Sequence, residues 1–289
     1  MNNNKKAIVL SLIIFIAALA VTVYPLIANA LAEKYRSEIQ TQYFEKVESM
    51  DTAEIDKVRG EAEKYNRLLN SGVVQNNYSN EALDLASVGY EAILNLNSDS
   101  IMAYVEVPAL EIYLPVSHGT EAETLENSVG HVIGSSLPIG GSDTHCVLSG
   151  HSGMSDQKMF SDLNKLQEGD IFYIHVLNET LAYKVSRIDT VPPEDTSLLG
   201  IEDGKDMVTL VTCTPFGVNT HRLLVRGERT DYIEAAEEVA ELEETQDTSS
   251  TWTEEYWKGV VIGIVVLIVL ILILSFLESK GGERKLKGK

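Results

Sequence analysis

The sequence predicts a mainly β domain, a closed barrel or a sandwich, over residues 99–230, preceded by helices and set between two membrane-spanning segments. Three observations carry this prediction. Short runs rich in β-branched and aromatic residues recur from Ile101 onward with little helical spacing between them. Turn clusters such as Ile139-Gly-Gly-Ser-Asp143 and Glu168-Gly-Asp170 separate those runs. Two uncharged apolar stretches near the chain ends each have the length a bilayer requires.

The first of these stretches, Ala7–Val23, reads AIVLSLIIFIAALAVTV and follows Lys5 and Lys6. The second, Gly259–Leu277, precedes Lys280, Arg284, Lys285, Lys287 and Lys289. A helix rising about 1.5 Å per residue needs about 20 apolar residues to cross a hydrocarbon core of about 30 Å. Basic residues on the outer side of both runs predict cytoplasmic termini and an exported middle. Residues 1–30 therefore read as a cytoplasmic start and an N-terminal anchor. Ala28-Asn29-Ala30 leaves a cleaved signal peptide as the competing reading, with the same exported domain.

Residues 31–98 read as a membrane-proximal helical region. Leu31, Tyr35, Ile39 and Tyr43 fall four apart, and Asp51-Thr-Ala-Glu54 has the pattern of a capped helix start. Residues 71–81 are turn-rich and predict a loop, and Tyr90, Ile93 and Leu94 predict a short helix before Asn95. Strands are expected in IMAYVEVPALEIYLPVSHG from Ile101, and at 144–150, 171–177, 181–191, 207–213 and 221–228. Closing such a sheet removes its exposed edges. From Asp231 to Tyr256 there are ten acidic residues and no basic one, which predicts a solvated linker over 231–256 that begins as a loose helix. Trp252, Tyr256 and Trp257 abut the second apolar run, read as a transmembrane helix over 257–279, as an interfacial aromatic belt would. Residues 280–289 form a basic cytoplasmic tail.

Charge excludes one class of partner. The chain carries −20; the ends beyond the apolar runs hold +2 and +3, which leaves −25 on the exported part. Phosphate backbones would repel such a domain, so nucleic acid is not a partner. No Asp-x-Asp-x-Asp-Gly loop is present, and no metal is predicted. Cysteines number two, Cys146 and Cys213; they could form one bridge, but a domain so poor in cysteine is one that folds without disulfides.

Cys213 ends an apolar run at a Thr-Pro-Phe-Gly turn. A lone cysteine at a strand end is commonly a small buried hydrophobe. Its surroundings favour a nucleophile. If 221–228 returns antiparallel with Arg222 opposite Cys213, Val211 meets Leu224 and Leu210 meets Val225, so apolar side chains face apolar ones. A guanidinium there would favour the thiolate and could donate to an oxyanion. Acyl transfer from an amide also needs an acid for the leaving amine. Of six histidines, His175 lies within a strand run, His221 alternates away from Arg222, and His118, His131 and His145 carry no specific signal. His151, in CVLSGHSG between Gly150 and Gly153, ranks first. Cys146 alternates onto the face of Leu148 and reads as core.

The run TLVTCTPFGVNTHRLLVRGER resembles the active-site signature of sortases in their pilus-assembling class C form. GHVIGSSLPIGGSDTHCVLSGHSG is similar to that family's histidine segment, and the likeness extends from about Tyr90 to Arg229. The resemblance implies an eight-stranded β-barrel and a transpeptidase without cofactor. Cys213 would attack a Leu-Pro-x-Thr-Gly-like sorting signal between Thr and Gly, Arg222 would polarise the carbonyl, and His151 would protonate the departing amine. A pilin lysine would resolve the thioester at the outer face of a Gram-positive cell membrane, so pilin subunits and the membrane are the expected partners. Class C enzymes often carry an Asp-Pro-aromatic lid; no Asp-Pro occurs here, and Asp84, before Leu85, is the nearest candidate. Phe216 stands where tyrosine is common in the family. Three rival readings use the same features: a peptidase with water as acceptor, a transpeptidase that anchors proteins to peptidoglycan, and a non-catalytic adhesive or sensor ectodomain.

Overall fold

A computed structural model describes residues 37–70, 89–152 and 159–233, with scattered positions outside those ranges. The chain divides into two compact units, Pro25–Leu242 and the two ends Met1–Tyr24 with Glu243–Lys289; the account below concerns the first. Eight strands close a barrel: β1 (Ile101–Val107), β2 (Ile112–His118), β3 (Val129–His131), β4 (Thr144–Ser149), β5 (Ile171–Val176), β6 (Glu179–Val191), β7 (Asp206–Thr214) and β8 (His221–Thr230). Their order around the wall is β1-β2-β3-β4-β7-β8-β6-β5. The pairs β2/β3 and β4/β7 are parallel and the rest antiparallel.

Alternation divides each strand between two environments. Met102, Leu114, Leu148, Phe172, Tyr183, Leu210 and Val225 fill the barrel with side chains, and Cys146 lies among them. Closure thus selects the barrel over the sandwich, and Cys146 and Cys213 are both free, so no bridge joins them. A strand and a helix in the barrel region were not expected from the sequence. β3 has three residues, too few for alternation to register, and the helix Ala122–Asn127 has no buried residue to give it an apolar face.

Helix α1, residues 37–49, lays Tyr43 and Val47 on Ile101 and Tyr104 outside the barrel. The Tyr43 hydroxyl accepts from the Leu177 amide at 3.0 Å and donates to the Met102 carbonyl at 3.2 Å. Helix α2 (Thr52–Asn70) begins at a reciprocal cap: the Glu54 amide donates to Asp51 Oδ1 at 2.9 Å, and the Asp51 amide donates to Glu54 Oε2 at 3.2 Å. A one-turn 3₁₀ helix follows at Tyr90–Ala92. After β8 the chain does not leave the barrel at once. Ala235 is buried against Ile171, Tyr173 and Ala182, so the acidic segment starts as a docked helix. Most of its remainder, the loop expected at 71–81, Asp84 and nearly all of both apolar runs lie outside the described residues. Among the described residues no helix is long and apolar enough to cross a membrane.

Candidate active site

Cys213 stands near the end of β7, which pairs with β8 on one side and β4 on the other. On one side β8 places Arg222 opposite Cys213, Leu224 opposite Val211 and Val225 opposite Leu210. This is the register expected from matching apolar side chains. The turn between the strands is tight: the Val218 and Asn219 amides both donate to the Pro215 carbonyl at 3.0 Å, and the Thr214-Pro215 bond is cis. Gly217 (φ 74°) and Asn219 (φ 60°) occupy left-handed conformations, which these two residue types adopt most readily.

On the other side β4 runs parallel, with Ser149 opposite Val211. The Gly150 amide donates to the Val211 carbonyl at 3.0 Å, which carries the register one step past the strand end. His151 therefore falls level with Cys213. Continued two residues past Ser149, this register lines up the backbones of His151, Cys213 and Arg222 across three neighbouring strand paths, which lie about 4.8 Å apart in a sheet. Glycine at 150 is explained by packing: a Cβ there would lie 2.7 Å from the buried Phe160 ring.

Two hydroxyls fix the histidine segment to the cysteine strand. Thr212 Oγ1 donates to the Gly150 carbonyl at 2.8 Å, and Ser152 Oγ donates to the Cys213 carbonyl at 2.7 Å. The residues before and after His151 are thus both tied to β7. Sequence reasoning passed over Thr212 and Ser152, because a side chain bonding to a distant carbonyl leaves no periodic trace. Arg222 Nη1 donates to the carbonyls of His221 (3.1 Å) and Asn219 (3.3 Å), holding the guanidinium beside its own turn. Cys213, His151 and Arg222 are all partly exposed.

The row stands at the end of an apolar strip. Val147, Val191, Leu199, Val211 and Leu224 form a cluster on the outer wall, distinct from the barrel interior. Strand alternation puts Cys213 on the face of Val211 and Arg222 on the face of Leu224. An aliphatic peptide side chain could rest on such a strip while its backbone passes the thiol.

Cys146 and four of the other histidines are committed elsewhere. Cys146 is enclosed in the barrel, where burial, and secondarily Asp206, push its thiol well above the usual range. His175 bridges Glu106 at 2.7 Å and Thr180 at 3.0 Å. His118 faces the Ser100 and Ile93 carbonyls, each at 2.8 Å. His131 lies between the Tyr90 hydroxyl and the Ser136 carbonyl, and His145 between the Gly200 carbonyl and Thr209. Burial lowers both of these imidazoles to about 4. His221 is exposed. Among the described residues no three His, Cys, Asp or Glu side chains gather to hold a metal ion.

Comparison with known proteins agrees with this architecture. A model of the sortase domain matches residues 105–230. Sortase C1 from Streptococcus agalactiae is similar at 44% identity and a TM-score of 0.61, over 66% of this chain and 97% of that one. Clostridium perfringens sortase C, solved with the C-terminal cell wall sorting motif, is similar at 42% identity and a TM-score of 0.57, over 66% and 97%. Sortase D from Bacillus subtilis is 30% identical over 128 residues, 43% of this chain; the match spans 62% of that relative's length.

Proposed function

Since the chain belongs to the sortase family of cysteine transpeptidases, alongside class C members, we propose that it joins pilin subunits through their sorting signals. Cys213 attacks, as its thiolate, the threonine carbonyl of a Leu-Pro-x-Thr-Gly-like segment. A C–S bond forms, the Thr–Gly C–N bond breaks, and His151 gives a proton to the departing glycine amine. Arg222 donates to the oxyanion that develops in between. A pilin lysine amine then attacks the thioester and gives a proton to the neutral His151; the isopeptide C–N bond forms, the C–S bond breaks and the thiolate returns. Two membrane anchors, at 7–23 and 259–277, hold the catalytic domain outside a Gram-positive cell with both chain ends in the cytoplasm.

The observation that supports this reading is the register that lines up His151, Cys213 and Arg222; the reading assigns the imidazole as acid and the guanidinium as oxyanion donor. No cofactor enters the reaction. Mass spectrometry of the purified exported domain with a sorting-signal peptide tests it. A thioester adduct on Cys213 that is absent in Cys213→Ala is expected, and an added lysine-bearing pilin domain should collect the acyl group. Peptide consumption with Cys213 unmodified contradicts the mechanism. Acid release alone would indicate a peptidase, and transfer to a peptidoglycan amine but not to lysine would indicate a wall-anchoring enzyme.

A further inference from the structure

Resting on that reading, we infer that Arg226 is a positioning residue that sets affinity for the sorting signal by holding the connection 192–205 against the apolar strip. Leu199 from this connection packs with Val211 and Leu224. Those residues lie two before Cys213 and two after Arg222 on the same faces, so Leu199 forms the wall of the strip beside the reacting row.

The connection contains no strand or helix, and such a segment stays in place only through what it touches. Arg226 Nη2 donates to the Leu198 carbonyl, and its Nη1 donates to Glu202 Oε1 at 2.7 Å. His145 Nδ1 donates to the Gly200 carbonyl at 2.8 Å, while the Thr209 hydroxyl donates to Nε2 at 2.7 Å and fixes that neutral tautomer. The carbonyls on both sides of Leu199 are therefore held by side chains from the barrel wall. Lys205 adds a link of 3.0 Å to each of Glu202 and Glu228. Like His145, Arg226 is buried, at 7% exposure, so its fork meets little competition from water.

Arg226 lies four residues from Arg222 along β8, about 13 Å at strand rise, too far to touch the reacting carbonyl. Its effect should fall on binding and not on chemistry. For Arg226→Met the expected result is a KM for a sorting-signal peptide raised about tenfold, the scale of losing one charge-assisted hydrogen bond, with kcat within about threefold. Arg226→Lys, which keeps the charge but not the fork, should fall between. Amide exchange at Leu198–Gly200 should quicken in Arg226→Met while exchange in β7 is unchanged. Glu202→Gln, at the solvent side of the same link, should shift KM in the same direction and covers the case in which Arg226→Met does not fold. An unchanged KM with unchanged exchange, in either variant that folds, overturns the inference, as does a fall in kcat with KM intact. Wild-type protein that leaves the peptide intact would instead overturn the functional reading beneath it.

Discussion

At the scale of single residues, the site depends on groups of two kinds. Cys213, His151 and Arg222 bear the proposed chemistry, whereas Thr212, Ser152 and Gly150 decide where the imidazole sits. Arg222 presents a planar fork, and a lysine ammonium cannot reproduce two directed donors. Arg222→Lys should therefore lower kcat/KM by about a hundredfold, the scale of losing an oxyanion donor, with thermal stability unchanged. A loss under threefold in peptide-cleavage kinetics would remove Arg222 from the mechanism. Gly150→Ala probes placement. Its Cβ would press on Phe160, whose amide donates to the His151 carbonyl at 3.0 Å. We expect kcat to fall at least tenfold, with the scale set by a displacement near 1 Å, while Cys213 remains alkylatable by iodoacetamide. Full activity in Gly150→Ala would show that His151 tolerates this shift.

At the scale of elements, helices α1 and α2 are secured by different means. The start of α2 relies on its reciprocal cap, so Asp51→Ala should cost about 1 kcal/mol in urea unfolding and leave peptide turnover unchanged, because Asp51 touches no residue of the site. Helix α1 relies on Tyr43, whose hydroxyl satisfies the Leu177 amide at the end of β5. Tyr43→Phe would leave that buried donor without its partner, at a cost of about 1–3 kcal/mol. Equal unfolding midpoints for Tyr43→Phe and wild type would show that water or another acceptor serves Leu177. The β7–β8 turn works on the same scale: by closing tightly it sets the register that puts Arg222 opposite Cys213.

Across the whole molecule, two buried imidazoles tie stability to pH. His131 and His145 fall to about 4 in the folded chain from an ordinary 6.5, because burial disfavours their charged forms. The unfolded chain therefore binds protons between pH 6.5 and 4 that the folded chain refuses. Their contribution is complete above pH 6.5 and is lost as pH falls toward 4, with a slope of up to about 1.4 kcal/mol per pH unit for each. Asp206 opposes this trend at the acid end, since burial raises its carboxyl and the folded chain takes up that proton first. Urea midpoints should decline from pH 7 to 5, and replacing His145 by Asn, which keeps a donor toward Gly200, should flatten the decline. A midpoint independent of pH over that span contradicts the assignment.

Periodicity and residue chemistry alone determined the strand runs, the capped start of α2, the placement of Cys146 in the core and the pairing of Arg222 with Cys213. Each follows from neighbours along the chain or across one hairpin, where a one-residue slip would turn apolar faces to water. The closed barrel was implied by the family resemblance, while what only the tertiary structure decided joins segments distant in sequence: the three-residue β3, the docking of Ala235 and the parallel contact of β4 with β7. That contact brings His151 level with a cysteine that lies far along the chain, held by Thr212 and Ser152. Hydrogen bonds from side chains to remote carbonyls impose no spacing on the sequence, so they become visible only once the backbone has brought the two strands together.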